Sequence, residues 1–451
     1  PRRPVTDRKD STMSRPSSAP RGGVRRRLSV VSAAVGVALV AAGCSSAGGP
    51  AAASPYEAAP SDLSASITYG VWDQAQVEAI EANLDGFAEL YPDIDVSVNV
   101  TPYADYFTKL QTQASSDSLP DLFWLNGPNF QLYASNGKIE PITGAVEAGD
   151  IESDDYPEAL VDLYTLDDVQ YGVPKDMDTI GVWLNEALFE QAGVPLPEAD
   201  WTWEDFQETA ATLSEALSAE GAYGGAGGMD GQTTYYDTIA QAGGEVVTDD
   251  GTASGYDSPE AEQGLQFWTD LIASGGSPTM QQLTDTPADQ WFTSGKLAMY
   301  WGGSWLNAAV SESPVSATTE VLPLPTGDEQ ATIIHGVSNV VAAGSENKQA
   351  AQALQVYLAG QEAQQQQGDM GAVIPAFTGT QQGFVDSAPD RDLQVFLDAV
   401  DYAVPLPVSK NSAAWNALEN ADLPGVFSGD EPVSDVAASL DEQMTALLAK
   451  E

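Results

Sequence analysis

The sequence predicts an α/β protein, with sheets flanked by helices. Two observations carry this. From Ile67 onward, stretches with apolar residues at every second position alternate with stretches at helical spacing. The 407 residues after Cys44 are also enough to bury two cores.

The elements follow in order. Ile67 to Val71 alternates like a strand. Val77, Ile80, Leu84, Phe87 and Leu90 recur at helical spacing. Ile94, Val96, Val98 and Val100 alternate again. Phe107 and Leu110 mark a second helix, and Leu122 to Leu125 is a short apolar strand. This βαβαβ order implies a parallel sheet, with ligand sites beyond the strand carboxyl ends, where Trp72, Trp124 and Asn126 fall.

A second unit opens near residue 178. Thr179–Leu184 reads as a strand, and Asn185–Ala192 as a helix stopped at Gly193. Thr202 and Asp205 have the spacing of a capping box. Helices are expected over 259–272, 287–294, 346–368, 390–400, 411–420 and 433–449, and strands over 296–301 and 338–343.

The N-terminal region has a different composition. Arg25, Arg26 and Arg27 precede the apolar run Leu28–Ala42, which is shorter than the ~20 residues a membrane span needs. Ala41-Ala42-Gly43-Cys44 resembles a lipobox. That resemblance implies a signal peptide over 1–44, acylation of Cys44, and an extracytoplasmic protein anchored to the cell membrane. Residues 45–62 are rich in Ser, Ala, Gly and Pro and read as a flexible spacer of about 25 Å reach.

Charge and residue usage exclude several functions. Residues 1–44 hold nine of the 17 basic and two of the 66 acidic residues, which leaves 8 and 64 in the remainder, a net charge of −56. Such a surface repels nucleic acid and anionic ligands. Cys44 is the sole cysteine and His335 the sole histidine, so no intrachain disulfide, no Cys/His zinc site and no histidine-based catalytic triad is expected. No metal or cofactor site is expected, and no pair of carboxylates is marked by sequence as a glycosidase couple.

Several segments together carry a family resemblance: Leu119–Trp124, Tyr171–Pro174 with Asp176 and Asp178, Trp183–Asn185, Trp201–Phe206, Phe292–Met299, Gly303–Trp305, and Val340–Ala342 followed by helix 346–359. In order and spacing the chain resembles the family 1 extracellular solute-binding proteins, the lipoprotein receptors of carbohydrate ABC importers. The resemblance implies a two-lobed, type II periplasmic-binding-protein-like fold joined by a hinge. It further implies a non-enzymatic monomer that delivers a neutral di- or oligosaccharide to a membrane permease. The lobes are expected over 63–175 with 296–337, and over 176–295 with 338–451.

Sugar recognition needs aromatic platforms for C–H patches and polar side chains for hydroxyls. Trp124 and Trp305 match aromatic positions that line the cleft of related maltose binders, and Asp178 matches a carboxylate that accepts sugar hydroxyls, with Asp176 its close competitor. Trp72 and Trp301 fall at strand ends. Asn126, Tyr103, Tyr236, His335 and Asn339 complete the expected lining, and Gly303 permits close backbone approach. Core packing is the competing role for each tryptophan, and it is the expected one for Trp183, Trp201, Trp203, Trp268, Trp291 and Trp415. Gly127-Pro128 stands where the maltose binders carry a charged Asp-Arg pair, which argues against maltose. A receptor of the same fold for a cationic solute is the alternative that the charge favours.

Overall fold

The computed structural model describes residues 56–248 and 250–451. The expected signal peptide, Cys44 and most of the spacer lie outside the described residues. The end of the spacer already lies on the body: Tyr56 Oη donates to Asp150 Oδ2 at 2.6 Å, and Ala59 and Leu63 pack on the first core. The expected flexible segment therefore does not extend to residue 62, because Tyr56 has an apolar seat and a carboxylate partner. Among the described residues, no helix is long and apolar enough to cross a membrane.

The first sheet begins with β1 (Ala65–Val71), helix α1 (Val77–Leu90), β2 (Ile94–Val100), helix α2 (Tyr103–Ser115) and β3 (Leu122–Asn126). β1 pairs in parallel with both β2 and β3. Helix α3 (Gly127–Ser135) starts directly from β3, with Pro128 in its first turn, where a missing N–H costs nothing. A small hairpin, β4 (Thr165–Leu166) and β5 (Val169–Gln170), turns through Asp167 and Asp168 at positive φ.

The chain then leaves this sheet through β6 (Asp176–Met177) and enters β7 (Ile180–Asn185), every residue of which is buried. β7 is the centre of the second sheet, between β8 (Met299–Gly303) and β9 (Thr319–Pro323), both antiparallel to it. β10 (Thr332–Ile334) leads back to β11 (Val337–Val341), which pairs antiparallel with β3 and completes the first sheet. β12 (Ile374–Pro375) pairs with β6, and β13 (Ala403–Pro405) with β10.

Among the described residues, three short runs thus connect the lobes: 174–178, 335–337 and 374–375. Asp178 and His335 exchange backbone hydrogen bonds at 2.8 and 3.1 Å, and Lys175 N donates to Val337 O at 2.7 Å.

This topology corrects two expected lobe assignments. β8 and β9 belong to the second lobe, not the first, because Met299 and Trp301 are buried in the second core. β11 and the helix Lys348–Ala359 belong to the first lobe, because Val337, Val340, Ala351 and Leu354 fill the core beneath β1 and β3. The expected helix 346–368 is broken at Gly360 into Lys348–Ala359 and Gln361–Asp369. The capping box is present: Thr202 Oγ1 accepts from Asp205 N at 3.3 Å, and Asp205 Oδ2 accepts from Thr202 N at 2.8 Å.

Candidate functional site

The strand ends of the first sheet meet the crossing runs in one place. Trp72 follows β1 directly and is half-buried. Its ring lies 4.9 Å from Trp124, 5.1 Å from Tyr106 and 5.6 Å from Tyr103, all in edge-on contacts. Tyr103, at the head of α2, remains 54% exposed. Asn126, at the end of β3, donates to Tyr103 Oη at 3.4 Å and accepts from Asn129 at 2.9 Å.

The polar side comes from the crossing runs and the second lobe. Asp178 is 6% exposed; its Oδ1 accepts from Gln232 Nε2 at 2.5 Å. Gln232 sits in a π-helical turn, Gly231–Tyr235, opened by Asp230, whose Oδ1 accepts from Thr233 N at 2.9 Å. Such turns gather at functional sites because they re-aim side chains. Burial, then the charge of Asp176, push the Asp178 carboxyl well above the usual carboxylate range. His335 Nε2 accepts from Gly127 N at 3.0 Å, which places its proton on Nδ1, 4.0 Å from Asp178 Oδ2. Burial lowers the His335 pKa to about 3, so the ring is neutral. The Tyr103 ring is exposed while its hydroxyl end is not: desolvation of that end, then the charge of Asp230, raises the phenol pKa.

Trp72, Tyr103, Asn126, Asp178 and His335 are therefore brought together. Trp305 is half-buried against the second core at the start of the helix Leu306–Glu312. Gly303 pairs with Ile180, and a Cβ there would meet the Trp305 ring at 1.8 Å, so its smallness admits Trp305.

Five expected lining residues have internal roles instead. Trp301 is 1% exposed and packs on Trp268, Phe206 and Phe267. Tyr236 is buried, donating to Glu419 at 2.9 Å. Trp124 is buried as well; its Nε1 donates to Tyr69 Oη at 2.7 Å, and the Lys175 ammonium stands 4.4 Å from its ring centroid. It supports Trp72 from behind. Asn339 lies opposite Trp124 in register and accepts from Tyr69 Oη at 2.6 Å. Asp176 is neutralised by Lys175 at 2.6 Å and accepts from Val337 N at 2.6 Å, which ties two crossing runs together. Tyr236, Trp124, Asn339 and Asp176 each give a polar atom a fixed partner inside the protein, while Trp301 is held by packing, its indole N–H unpartnered.

Gln232, Asp230 and Tyr300 were not expected. Tyr300 precedes the buried Trp301 on β8, and the charges of Asp289 and Asp230 reach its phenol. The glycine-rich run before Asp230 was the available signal for a special backbone there.

Comparison with known proteins agrees with this architecture. Residues 70–365 match the family model described as bacterial extracellular solute-binding protein. Binding proteins of Brucella abortus are 26% identical over 265 residues, which is 58% of this chain and 63% of theirs, so the chain spans under two thirds of those relatives. The diacetylchitobiose binding protein of Streptomyces coelicolor is 24% identical over 327 residues, covering 70% of this chain and 74% of that one. Among solved structures, the ABC substrate-binding protein of Listeria monocytogenes in complex with cycloalternan superposes with a TM-score of 0.79 at 26% identity, over 86% of this chain and 99% of that one.

Proposed function

Because the chain belongs to the bacterial extracellular solute-binding protein family, we propose that it captures a di- or oligosaccharide between its two lobes and delivers it to the membrane subunits of an ABC importer. The observation that carries this reading is the juxtaposition of Trp72 and Tyr103, on the first lobe, with Asp178 and Gln232, on the crossing run and the second lobe. Aromatic faces suit the C–H patches of a pyranose, and carboxylate and amide groups suit its hydroxyls. The ligands printed for similar proteins, diacetylchitobiose and cycloalternan, are carbohydrates. Lys175, whose charge reaches Asp178, is already paired with Asp176, which disfavours anionic solutes.

The mechanism follows from the three crossing runs. They are short and paired to one another, so the lobes turn about them as bodies. A sugar that touches both lobes binds the closed arrangement more tightly than the open one, and that difference drives closure. Asp178 belongs to a crossing run, so a hydroxyl bound to it reports directly to the hinge. Asp176, two residues earlier on the same run, keeps the runs in register through Val337.

Export and acylation at Cys44 complete the proposal; the basic, apolar and small-residue order before Cys44 supports them. A tether would raise the effective concentration of receptor at the permease. Replacing Cys44→Ser should move the protein from the membrane fraction to the medium.

Intrinsic tryptophan fluorescence, titrated with a panel of di- and oligosaccharides, tests the binding claim. At least one sugar should shift the emission, and Trp72→Ala should weaken that sugar about tenfold or more. A response confined to peptides or polyamines would sink it.

A further inference from the structure

The hinge holds a small polar cavity. Its volume is about 20 Å³, room for one water, which needs roughly 10–15 Å³. Trp124 forms part of its wall, and four polar residues that line it come from different parts of the fold. Asn83 is on α1, Asn339 on β11, and Lys175 on the crossing run 174–178. Gln367 is on the helix Gln361–Asp369, which leads to the run 374–375. All four are more than nine-tenths buried.

Each of the three amides has one end fixed by the protein. Asn83 Nδ2 donates to Ala363 O at 3.2 Å, and Gln367 Nε2 donates to Lys175 O. Trp124 Nε1 donates to Tyr69 Oη, so the Tyr69 proton goes to Asn339 Oδ1, at 2.6 Å. These bonds set which way each amide points. They leave over Asn83 Oδ1, Gln367 Oε1 and Asn339 Nδ2. Asn83 Oδ1 is buried with no partner in the protein. No hydrogen bond among the described residues reaches the other two. Lys175 has three N–H donors and spends two, on Asp176 Oδ2 at 2.6 Å and Gln76 Oε1 at 3.0 Å.

The remainder is two donors and two acceptors. A water gives two hydrogen bonds and takes two, so it matches this set in number and in kind. A metal ion would be repelled by the Lys175 ammonium, and a sugar ring is too large for the volume.

We propose that this cavity holds one resident water, which takes hydrogen bonds from Lys175 and Asn339 and gives them to Asn83 and Gln367, and that this water is a working part of the hinge. The hinge role rests on the receptor reading above. The cavity lies where the first lobe meets the crossing runs, so Lys175 shifts against α1 when the lobes turn. A direct bond between two side chains fixes one distance and one direction. A water reorients and keeps its bonds through such a shift. It also satisfies the buried oxygen of Asn83 throughout. It keeps the Lys175 ammonium at the Trp124 ring, 4.4 Å from its centroid, behind the Trp72 platform.

A crystal structure of the full chain, at a resolution that shows ordered water, tests the site. The expected result is a peak within hydrogen-bond distance of both Lys175 Nζ and Asn83 Oδ1. An absent peak, or one that does not reach both groups, overturns the inference. Two variants test the hinge role, each checked for its fold by circular dichroism and titrated with the panel sugar that shifts the emission most. Asn83→Leu keeps the bulk and removes the acceptor; it should lose the water and bind that sugar about fivefold more weakly. Asn83→Asp loses the same bond to Ala363 O but keeps an acceptor; it should keep the water and bind within about twofold of the parent chain. Affinity that is unchanged in Asn83→Leu, or equally weakened in both variants, overturns the hinge role. If no sugar of the panel binds, the receptor reading fails, while the water peak still decides the site.

Discussion

The backbone N–H of Gly127 donates to Nε2 of His335 at 3.0 Å. This bond joins the head of α3, in the first lobe, to a run that crosses between the lobes. It works only while the imidazole is neutral, since a protonated ring has no acceptor.

The first prediction concerns pH. The His335 pKa is lowered by burial from an ordinary 6.5 to about 3. Between those values the unfolded chain binds a proton that the folded chain refuses, so this group's contribution to stability falls as pH drops from 6.5 toward 3. The slope is at most ~1.4 kcal/mol per pH unit. In His335→Gln the amide oxygen can still accept from Gly127 but does not titrate. Urea midpoints between pH 7 and pH 4 should fall less steeply for that variant; equal slopes would show that His335 carries no such load.

Glu419 should act in the opposite direction. It lies on the helix Ser412–Phe427, buried among Tyr236, Tyr256 and Asn416, all of which donate to it. Burial raises its pKa from 4.5 to about 7. A raised carboxyl contributes stability below pH 4.5 that is lost as pH climbs to 7. Relative to the parent chain, Glu419→Gln should gain about 3 kcal/mol between pH 4.5 and pH 8, read as a difference of unfolding free energies. A difference that does not vary with pH would contradict this account.

The Lys175–Asp176 pair sits with both side chains about 95% buried. Lys175→Met would strand the Asp176 carboxylate beneath Trp124 and should destabilise the fold by about 3–5 kcal/mol. Adding Asp176→Asn removes the stranded charge and keeps an acceptor for Val337 N, so the double variant should recover a clear part of the loss in thermal unfolding. A double variant weaker than Lys175→Met alone would show that the pair is not balanced in this way.

The sequence revealed the alternation of elements because β1, β2 and α1 each bury one face, and a buried face leaves a regular spacing. It revealed the family because the matching segments are local: Trp183–Asn185 and Trp201–Phe206 can be recognised without knowing their neighbours. What it concealed was partnership between distant segments. Whether residue 301 or residue 305 faces a ligand depends on which neighbours enclose β8, and Phe206, Phe267 and Trp268 come from elsewhere in the chain. Tyr236 reads from sequence as a lining residue because its partner, Glu419, lies far along the chain. The lobe assignment of β8 and β11 failed for the same reason, since both are short apolar strands that fit either sheet until the packing decides. Gln232 was hidden because nothing in a lone glutamine signals that a π-turn will aim it at Asp178.

The pairing of β11 with β3 also bears on how the molecule is made. Val337 meets Asn126, and Val341 meets Leu122, so the first sheet waits for its last strand until the second sheet's strands have been synthesised. Contacts that close so long a loop form slowly. The nascent chain therefore cannot finish its N-terminal half while it is still emerging, and that half stays incomplete, with an open strand edge, until late in synthesis. Such a delay leaves the first lobe accessible to any step that needs an unfolded chain until β11 has been made.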